Sequence, residues 1–433
     1  MSGDSPTEDY SESQRAPGTP GRAVKSAFSL DQSFFTALHA RLESERHRAN
    51  EKHTSLLKRL KESIQPPAGY SVGLDTEKIL HAPDAIPIVE QLAALVQTAF
   101  WASLEREEGR ALHFKVSFMR PEAGSNSLIA FDPPISYDVR ELAKLASAVG
   151  ATEGALLVAP FERGELKIWG LKGYDRAPVG AKVIDPGSVV VKFKETNVAA
   201  ISRSEAVHIR DPLLTRSSVI WSRFGAGEEG YDQWNDPRIN AILQTVKRMR
   251  SLGHGGTLAI VPSTGRWQAS VKPPITYSGS TPYSPFHDPI SNLKELRGKT
   301  GHTWADEMYW WTGVKEASQA LAHLTAVDGA TLVTYDLDVV GFGAKLQPAP
   351  DSVEPRRIYS VDPLDHQNWI TDVRMEQLGG TRHQSAARFV ADQPDAIVFV
   401  VSQDGDVTAL VWWQPPHAPA ALYAHRRLEL TLF

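Results

Sequence analysis

Four times along this chain, a stretch with helical apolar spacing runs into a short apolar segment with strand character. Residues 139–149 lead into Gly154-Ala155-Leu156-Leu157-Val158, 236–252 into Thr257–Val261, 305–324 into Thr331–Tyr335, and 381–391 into Ala396–Val401. A helix closely followed by a buried strand, and repeated, is the pattern of an α/β fold, because each helix must cover the strands it joins. The fold class expected is therefore α/β, with a mixed central β-sheet flanked by helices and a long helix at the N-terminus.

Local signals sharpen several of these elements. Asp236-Pro237 is an N-cap followed by proline at the first helical position. Ile239, Ile242, Leu243, Val246, Met249 and Leu252 keep helical spacing, and Gly253 ends the run. A further helix is expected over 85–107. Leu112, Phe114, Val116 and Phe118 alternate with polar residues, as a half-buried strand does. Glu165–Leu171 reads as the hairpin partner of 154–158, and strands are also expected at 188–193 and 198–201. Residues 272–301, rich in Pro, Ser, Gly and Tyr, read as a long surface loop.

At the N-terminus, residues 1–27 read as a disordered tail, since so polar a stretch cannot bury enough apolar area to offset ordering entropy. Residues 28–66 read as one long helix, with Leu30, Phe34, Leu38 and Leu42 on one face and Leu57, Leu60 and Ile64 on another. Residues 70–300 form an N-terminal α/β region, and 301–433 a C-terminal core.

Composition excludes several functional classes. The chain has no cysteine, which removes disulfides, thiolate-ligated zinc and thiol nucleophiles. Its net charge of −5 argues against a generally basic nucleic-acid binder. No apolar run approaches the roughly 20 residues of a membrane-spanning helix, and the first residues lack a signal-peptide core. A cytoplasmic protein is expected. Gly69-Tyr70-Ser71-Val72-Gly73 matches a nucleophile elbow in letters only, since Pro66-Pro67 stand where its strand should be. His254-Gly255-Gly256 resembles part of an oxyanion loop but follows the serine rather than preceding it.

The segment around 376–391 carries more. Gly379-Gly380 allow close backbone approach to a ligand, and Thr381-Arg382-His383-Gln384 then open a helix. A helix start attracts phosphate through its free N–H groups and dipole. Arg382 can take phosphate oxygens in a fork, Thr381 adds a hydroxyl, and His383 can contact phosphate or metal. Asp328-Gly329-Ala330 sits where a helix passes into a strand; Asp328 can hold a divalent cation, or simply form a tight turn. Ser402-Gln403-Asp404 follows a buried strand, with Asp404 either a turn former or a second acid. The six-residue likeness of 153–158 to 328–333 also raises an internal duplication.

These three motifs, in this order and context, resemble the diadenylate cyclase (DisA-type) domain family, with likeness over about 325–411, and also a diverged nucleotide-sensor branch. Gly154–Val158 is similar to the family's opening strand, which would make one domain of most of 135–433 and an insertion of 190–300. The resemblance implies an adenine nucleotide such as ATP, a Mg or Mn ion, and a homo-oligomer in which two protomers face each other. By position, Asp328 and Asp404 would be catalytic and metal-binding. Gly329, Ala330, Gly379, Gly380, Thr381, Arg382, His383, Gln384 and Ser402 would line the nucleotide. The chain departs from the family where Gln384 replaces an Arg, Gln403 replaces the first Glu of an acid pair, and Asp404 is one methylene shorter than Glu. A displacement of about 1 Å can cost roughly a hundredfold in rate. The sequence thus leads to a nucleotide sensor with reduced or lost cyclase activity. The alternatives are a working cyclase converting two ATP to cyclic di-AMP, and a non-catalytic assembly protein. No membrane or nucleic-acid partner is expected.

Overall fold

The computed structural model describes residues 31–63, 86–121, 128–149, 154–173, 177–194, 196–202, 205–209, 220, 223–224, 236–272, 283–299, 303–350, 352–363, 370–414 and 420–432. The expected tail at 1–27 and the Gly69–Gly73 motif lie outside these residues.

The mixed α/β architecture is built, among the described residues, on two large sheets rather than one. A small ribbon, β1 (Arg106–Glu107) with β2 (Arg110–Ala111), precedes the first. The first sheet contains β3 (Lys115–Phe118), β4 (Leu128–Ser136), β5 (Ala155–Pro160), β6 (Leu166–Lys172), β7 (Val179–Asp185), β8 (Ser188–Phe193), β9 (Thr196–Ser202) and β10 (Glu205–His208). Their spatial order is β4-β6-β5-β3-β7-β8-β9-β10. The second contains β11 (Gly256–Val261), β12 (Val271–Lys272), β13 (Ala330–Thr334), β14 (Val339–Leu346), β15 (Ile358–Val361), β16 (Ile370–Val373), β17 (Ile397–Val401), β18 (Val407–Trp413) and β19 (Ala421–His425). Its order is β12-β14-β13-β11-β17-β18-β19-β15-β16.

The helices are α1 (Gln32–Ser63), α2 (Val89–Ser103), α3 (Val139–Ala146), α4 (Pro237–Leu252), α5 (His287–Arg297), α6 (Trp304–Leu324), α7 (Thr381–Asp392) and the single turn α8 (Glu429–Leu432). The long N-terminal helix is thus present, with Phe35, Leu38 and Leu42 buried in the first core. At α4, Asp236 Oδ1 accepts the Arg238 N–H at 2.8 Å, and Gly253 closes the helix at φ +70°. At α6, Thr303 and Asp306 form a reciprocal capping box.

The two sheets repeat one topology. The order β6-β5-β3-β7-β8-β9 in the first matches β14-β13-β11-β17-β18-β19 in the second. In each, the third and second strands of these series pair in parallel and the remaining neighbours pair antiparallel. Register repeats as well. Leu156, Val116 and Ala181 share one row across β5, β3 and β7, and Thr331, Leu258 and Phe399 share the matching row across β13, β11 and β17. The likeness of 153–158 to 328–333 therefore marks equivalent strands. A helix precedes each first strand, α2 before β3 and α4 before β11.

This corrects the expected layout in three places. Gly154–Val158 belongs to the first sheet and does not neighbour the Asp-Gly-Ala strand; the parallel neighbour of β13 is β11. Residues 190–300 are not an insertion in one domain, since they supply strands to both sheets, and β11 places part of the second sheet before residue 301. The expected loop at 272–301 contains α5, whose Ile290 and Leu293 are buried in the second core. Burial of that face decided for helix despite flanking turn residues.

β17 explains itself as a sequence. Ile397, Phe399 and Val401 face the α4–α6 layer, while Val398 and Val400 face α7. A strand covered on both faces reads as an unbroken apolar run. The halves also meet each other. Leu430 joins Ile184, Val190, Ala200, Val207 and Ile209 in one cluster, and Asn197 Nδ2 donates to the Leu430 carbonyl at 2.9 Å.

Candidate functional site

The register of the second sheet sets the site. Ala330, Thr257 and Val400 lie in one row, and Gly256 pairs with Val401. The Asp328-Gly329 turn, the Gly255-Gly256 start of β11 and the 402–406 turn therefore leave the sheet at the same end. α7 runs back along β17, so its first turn reaches this end too. A Cβ added at Gly255 would lie 2.7 Å from Arg382 Nη1, 3.0 Å from the Val401 carbonyl oxygen and 3.3 Å from the Gln403 nitrogen. The Arg382 guanidinium, the Gly255 backbone and the 401–403 segment thus converge on one point. Gly255, at φ +66°, is a position that a side chain would fill.

The remaining residues are placed as follows. Asp328 is exposed and Ala330 buried. Gly329, at φ +111°, has no room for a side chain, with Gly343 C 2.6 Å from an added Cβ. Gly379, at φ +132°, lies under the His383 ring, whose Nδ1 would stand 3.0 Å from an added Cβ. Gln384 Nε2 donates to the Gly379 carbonyl at 3.1 Å, which pins the glycine bend. Gly380 is the N-cap of α7, and no side chain caps the helix. Thr381 is exposed at its first turn. The Arg382 side chain makes no ion pair among the described residues, which fits a guanidinium kept for an anion.

His383 is half-buried, and its pKa is held below the usual imidazole value. Burial is the main cause, with Arg426 adding to it and Asp406 opposing it. A neutral imidazole can donate to phosphate from one nitrogen or ligate metal from the other. Ser402 Oγ accepts the Asp406 N–H at 3.1 Å and its N–H donates to the Asp406 carbonyl at 2.9 Å. Its hydroxyl is thus engaged in closing the turn.

Asp404 is less well joined to the others. It lies on the same turn, but it opens into a cleft of about 590 Å³ between the two halves, whose lining also includes Trp101, Asp185, Asp406 and Glu429 and includes none of Asp328, Arg382 and His383. Two strand spacings, about 10 Å, separate β13 from β17, so Asp328 and Asp404 are not a close pair of backbones. Among the described residues, no group of three or more His, Asp or Glu could hold a metal by itself.

Sequence reasoning passed over Gly255, Asp406 and Arg426. The signal for Gly255 was there: His254-Gly255-Gly256 follows a capped helix and opens an apolar strand, as Asp328-Gly329 does.

Residues 81–172 match the family model DACNV, described as a probable sensor domain. This stretch contains α2, α3 and β1–β6, so the sensor-type part of the chain is in the first half. All the candidate residues from Asp328 to Asp404 lie outside it. A crystal structure of a hypothetical membrane spanning protein from Bacillus cereus is similar at 16% identity, over 42% of this chain and 62% of that one, with a TM-score of 0.21. The chain thus spans less than two thirds of that structure. No curated protein matches. Among the described residues, no helix is long and apolar enough to cross a membrane.

Proposed function

We propose that the first half of the chain senses a signal and that the end of the second sheet binds an adenine nucleotide. Arg382, Thr381 and the α7 start would take the phosphates, Gly255 and Gly329-Ala330 would let the ligand lie against backbone, and His383 would contact phosphate as a neutral donor. The observation that carries this reading is the convergence of the Arg382 guanidinium with Gly255 and the 401–403 segment at an uncapped helix start.

Mg or Mn would neutralise charge on the bound phosphates. Such ions commonly use one or two carboxylates, with substrate phosphates and water completing the shell. Asp328 offers a carboxylate of that kind to an ion that arrives with the nucleotide, whereas Asp404 opens into the cleft between the halves and stands apart from it. Asp328 would be the main carboxylate. Gln384 and Gln403 leave fewer charges at the site than the diadenylate cyclase family has, which favours binding over turnover.

A second reading is a working diadenylate cyclase. It is favoured by the sensor match falling on residues 81–172, which leaves the motif-bearing half free for an output activity. One experiment separates the two. The full chain is titrated with ATP in Mn²⁺ by calorimetry, then incubated and analysed by mass spectrometry for cyclic di-AMP and its linear intermediate, with Asp328→Asn and Arg382→Ala in parallel. Binding weakened by Arg382→Ala without product supports the sensor. Product lost in Asp328→Asn supports the cyclase. Absence of ATP binding to the wild type refutes both.

A further inference from the structure

The turn between β17 and β18 is gripped from two sides. Arg382 approaches its start from the α7 side. From the α4 side, Arg250 Nε donates to the Gly405 carbonyl at 2.8 Å. A Cβ added at Gly405, which has φ +85°, would lie 3.4 Å from both Nε and Nη2 of Arg250. The same guanidinium pairs with Asp185 and reaches the Ile184 carbonyl at 3.4 Å. Both of those residues belong to the first half, and the Arg250 side chain is only 15% exposed. Asp185 ends β7, the strand equivalent to β17. The matching turns of the two copies, 185–188 and 402–406, therefore meet on one mostly buried arginine.

We infer that Arg250 is a positioning residue which ties the 402–406 turn to the sensor half, with Asp185 as the group it responds to. A buried guanidinium that loses its carboxylate must find another, because leaving it unpaired is strongly unfavourable. Besides Arg250, the charged groups that act on Asp185 are His113 and Asp406. Asp406 lies on the 402–406 turn itself. Glu429 feels both Arg250 and Asp406 as well, so Asp406 and Glu429 are the carboxylates that compete with Asp185 for this cation. When the 185–188 turn moves away, Arg250 shifts toward Asp406 and the Gly405 hydrogen bond changes with it. The Ser402–Asp406 closure, which fixes where the Val401–Gln403 segment meets Arg382, is the part that answers. This gives two states of one element, biased from the first half and read in the second. The device also explains why the cleft between the halves has both turns in its lining: a small molecule entering there touches both arms of the competition.

The coupling itself stands on the geometry, whereas its effect on a ligand rests on the nucleotide reading. The test uses the full chain with Asp185→Asn, Asp185→Ala and Asp185→Glu. Amide hydrogen exchange is followed by mass spectrometry, and ATP binding is measured in Mn²⁺. The Asn and Ala variants are expected to exchange about tenfold faster across 402–407, with α7 and β13 unchanged, and to shift ATP affinity by a similar factor. Asp185→Glu restores both. Unchanged exchange at 402–407 in both variants overturns the proposal. So does loss of protection spread through both sheets, which would make Asp185 a support of the fold only. A faster turn with unaltered ATP affinity overturns its link to the site. If the wild type binds no ATP, the nucleotide reading fails while the exchange result still decides the coupling.

Discussion

Two buried ionisable groups near the chain end should give the protein opposing responses to pH. His425, at the end of β19, is 7% exposed, and among the described residues neither ring nitrogen has a hydrogen-bond partner. Burial pulls its pKa from 6.5 down to about 4. Glu429, at the start of α8, is 4% exposed and accepts the Val407 N–H at 2.8 Å. Burial pushes its pKa from 4.5 up to about 7, against the opposing pull of backbone N–H groups and Arg250. Each shift corresponds to on the order of 3 kcal/mol, at about 1.4 kcal/mol per pH unit.

The signs differ. Glu429 binds its proton more tightly when folded, so its contribution is fully present below pH 4.5 and is lost as pH rises through about 7. His425 binds its proton less tightly when folded. Its contribution is present above pH 6.5 and is lost as pH falls through about 4. Between roughly pH 4.5 and 6.5 the two nearly cancel. Glu429→Gln keeps an acceptor for Val407 and removes one arm. Urea unfolding of wild type, Glu429→Gln and His425→Leu at several pH values from 4.5 to 7.5 reads the result. The stability of Glu429→Gln relative to wild type should climb by on the order of 3 kcal/mol as pH rises across this range. That of His425→Leu should climb as pH falls, by a comparable amount. A difference from wild type that does not change with pH, in either variant, would refute the reasoning for that group.

Other substitutions test the site and its supports. Gly329→Ala, which must hold φ +111° and meets Gly343 and Ala344 backbone, is expected to cost at least about 2 kcal/mol, measured by urea unfolding. Arg382→Ala should weaken ATP binding by about tenfold or more with the melting temperature nearly unchanged, because its guanidinium makes no ion pair among the described residues; calorimetry checks it. Tyr137→Phe removes the donor that reaches the Leu95 carbonyl at 2.7 Å and should cost about 1 kcal/mol in the same unfolding assay.

What could be read in the sequence was local. The helix at 237–252 carries its own start and stop in Asp236, Pro237 and Gly253, and β17 declares its two-sided burial in five apolar residues. The glycine-led helix start at 381–384 was equally visible, because it depends on adjacent residues. What was not visible was partnership. Gly154–Val158 and Gly256–Val261 are both short apolar runs after a helix, and nothing local says which one lies beside Ala330–Thr334. That choice is made by pairing across long stretches of chain. For the same reason nothing local to Arg250 marks it, although it holds turns from both halves.

The duplicated topology also explains why the candidate site belongs to one copy. With the two three-strand rows aligned, His113 and Phe114 stand where the second copy has Gly255 and Gly256. Phe114 is 4% exposed and packs into the first core. The opening that Gly255 leaves for Arg382 is therefore occupied by side chains in the first copy. No described helix precedes β7 as α7 precedes β17. The first copy keeps the strands and their register but lacks both the bare backbone and the helix start that an anion needs. It retains Asp185 at the end of the equivalent strand, and that carboxylate now holds Arg250 of the other half. A turn of one copy thus meets the equivalent turn of the other on Arg250, and it is on this contact that the proposed coupling of the two halves rests.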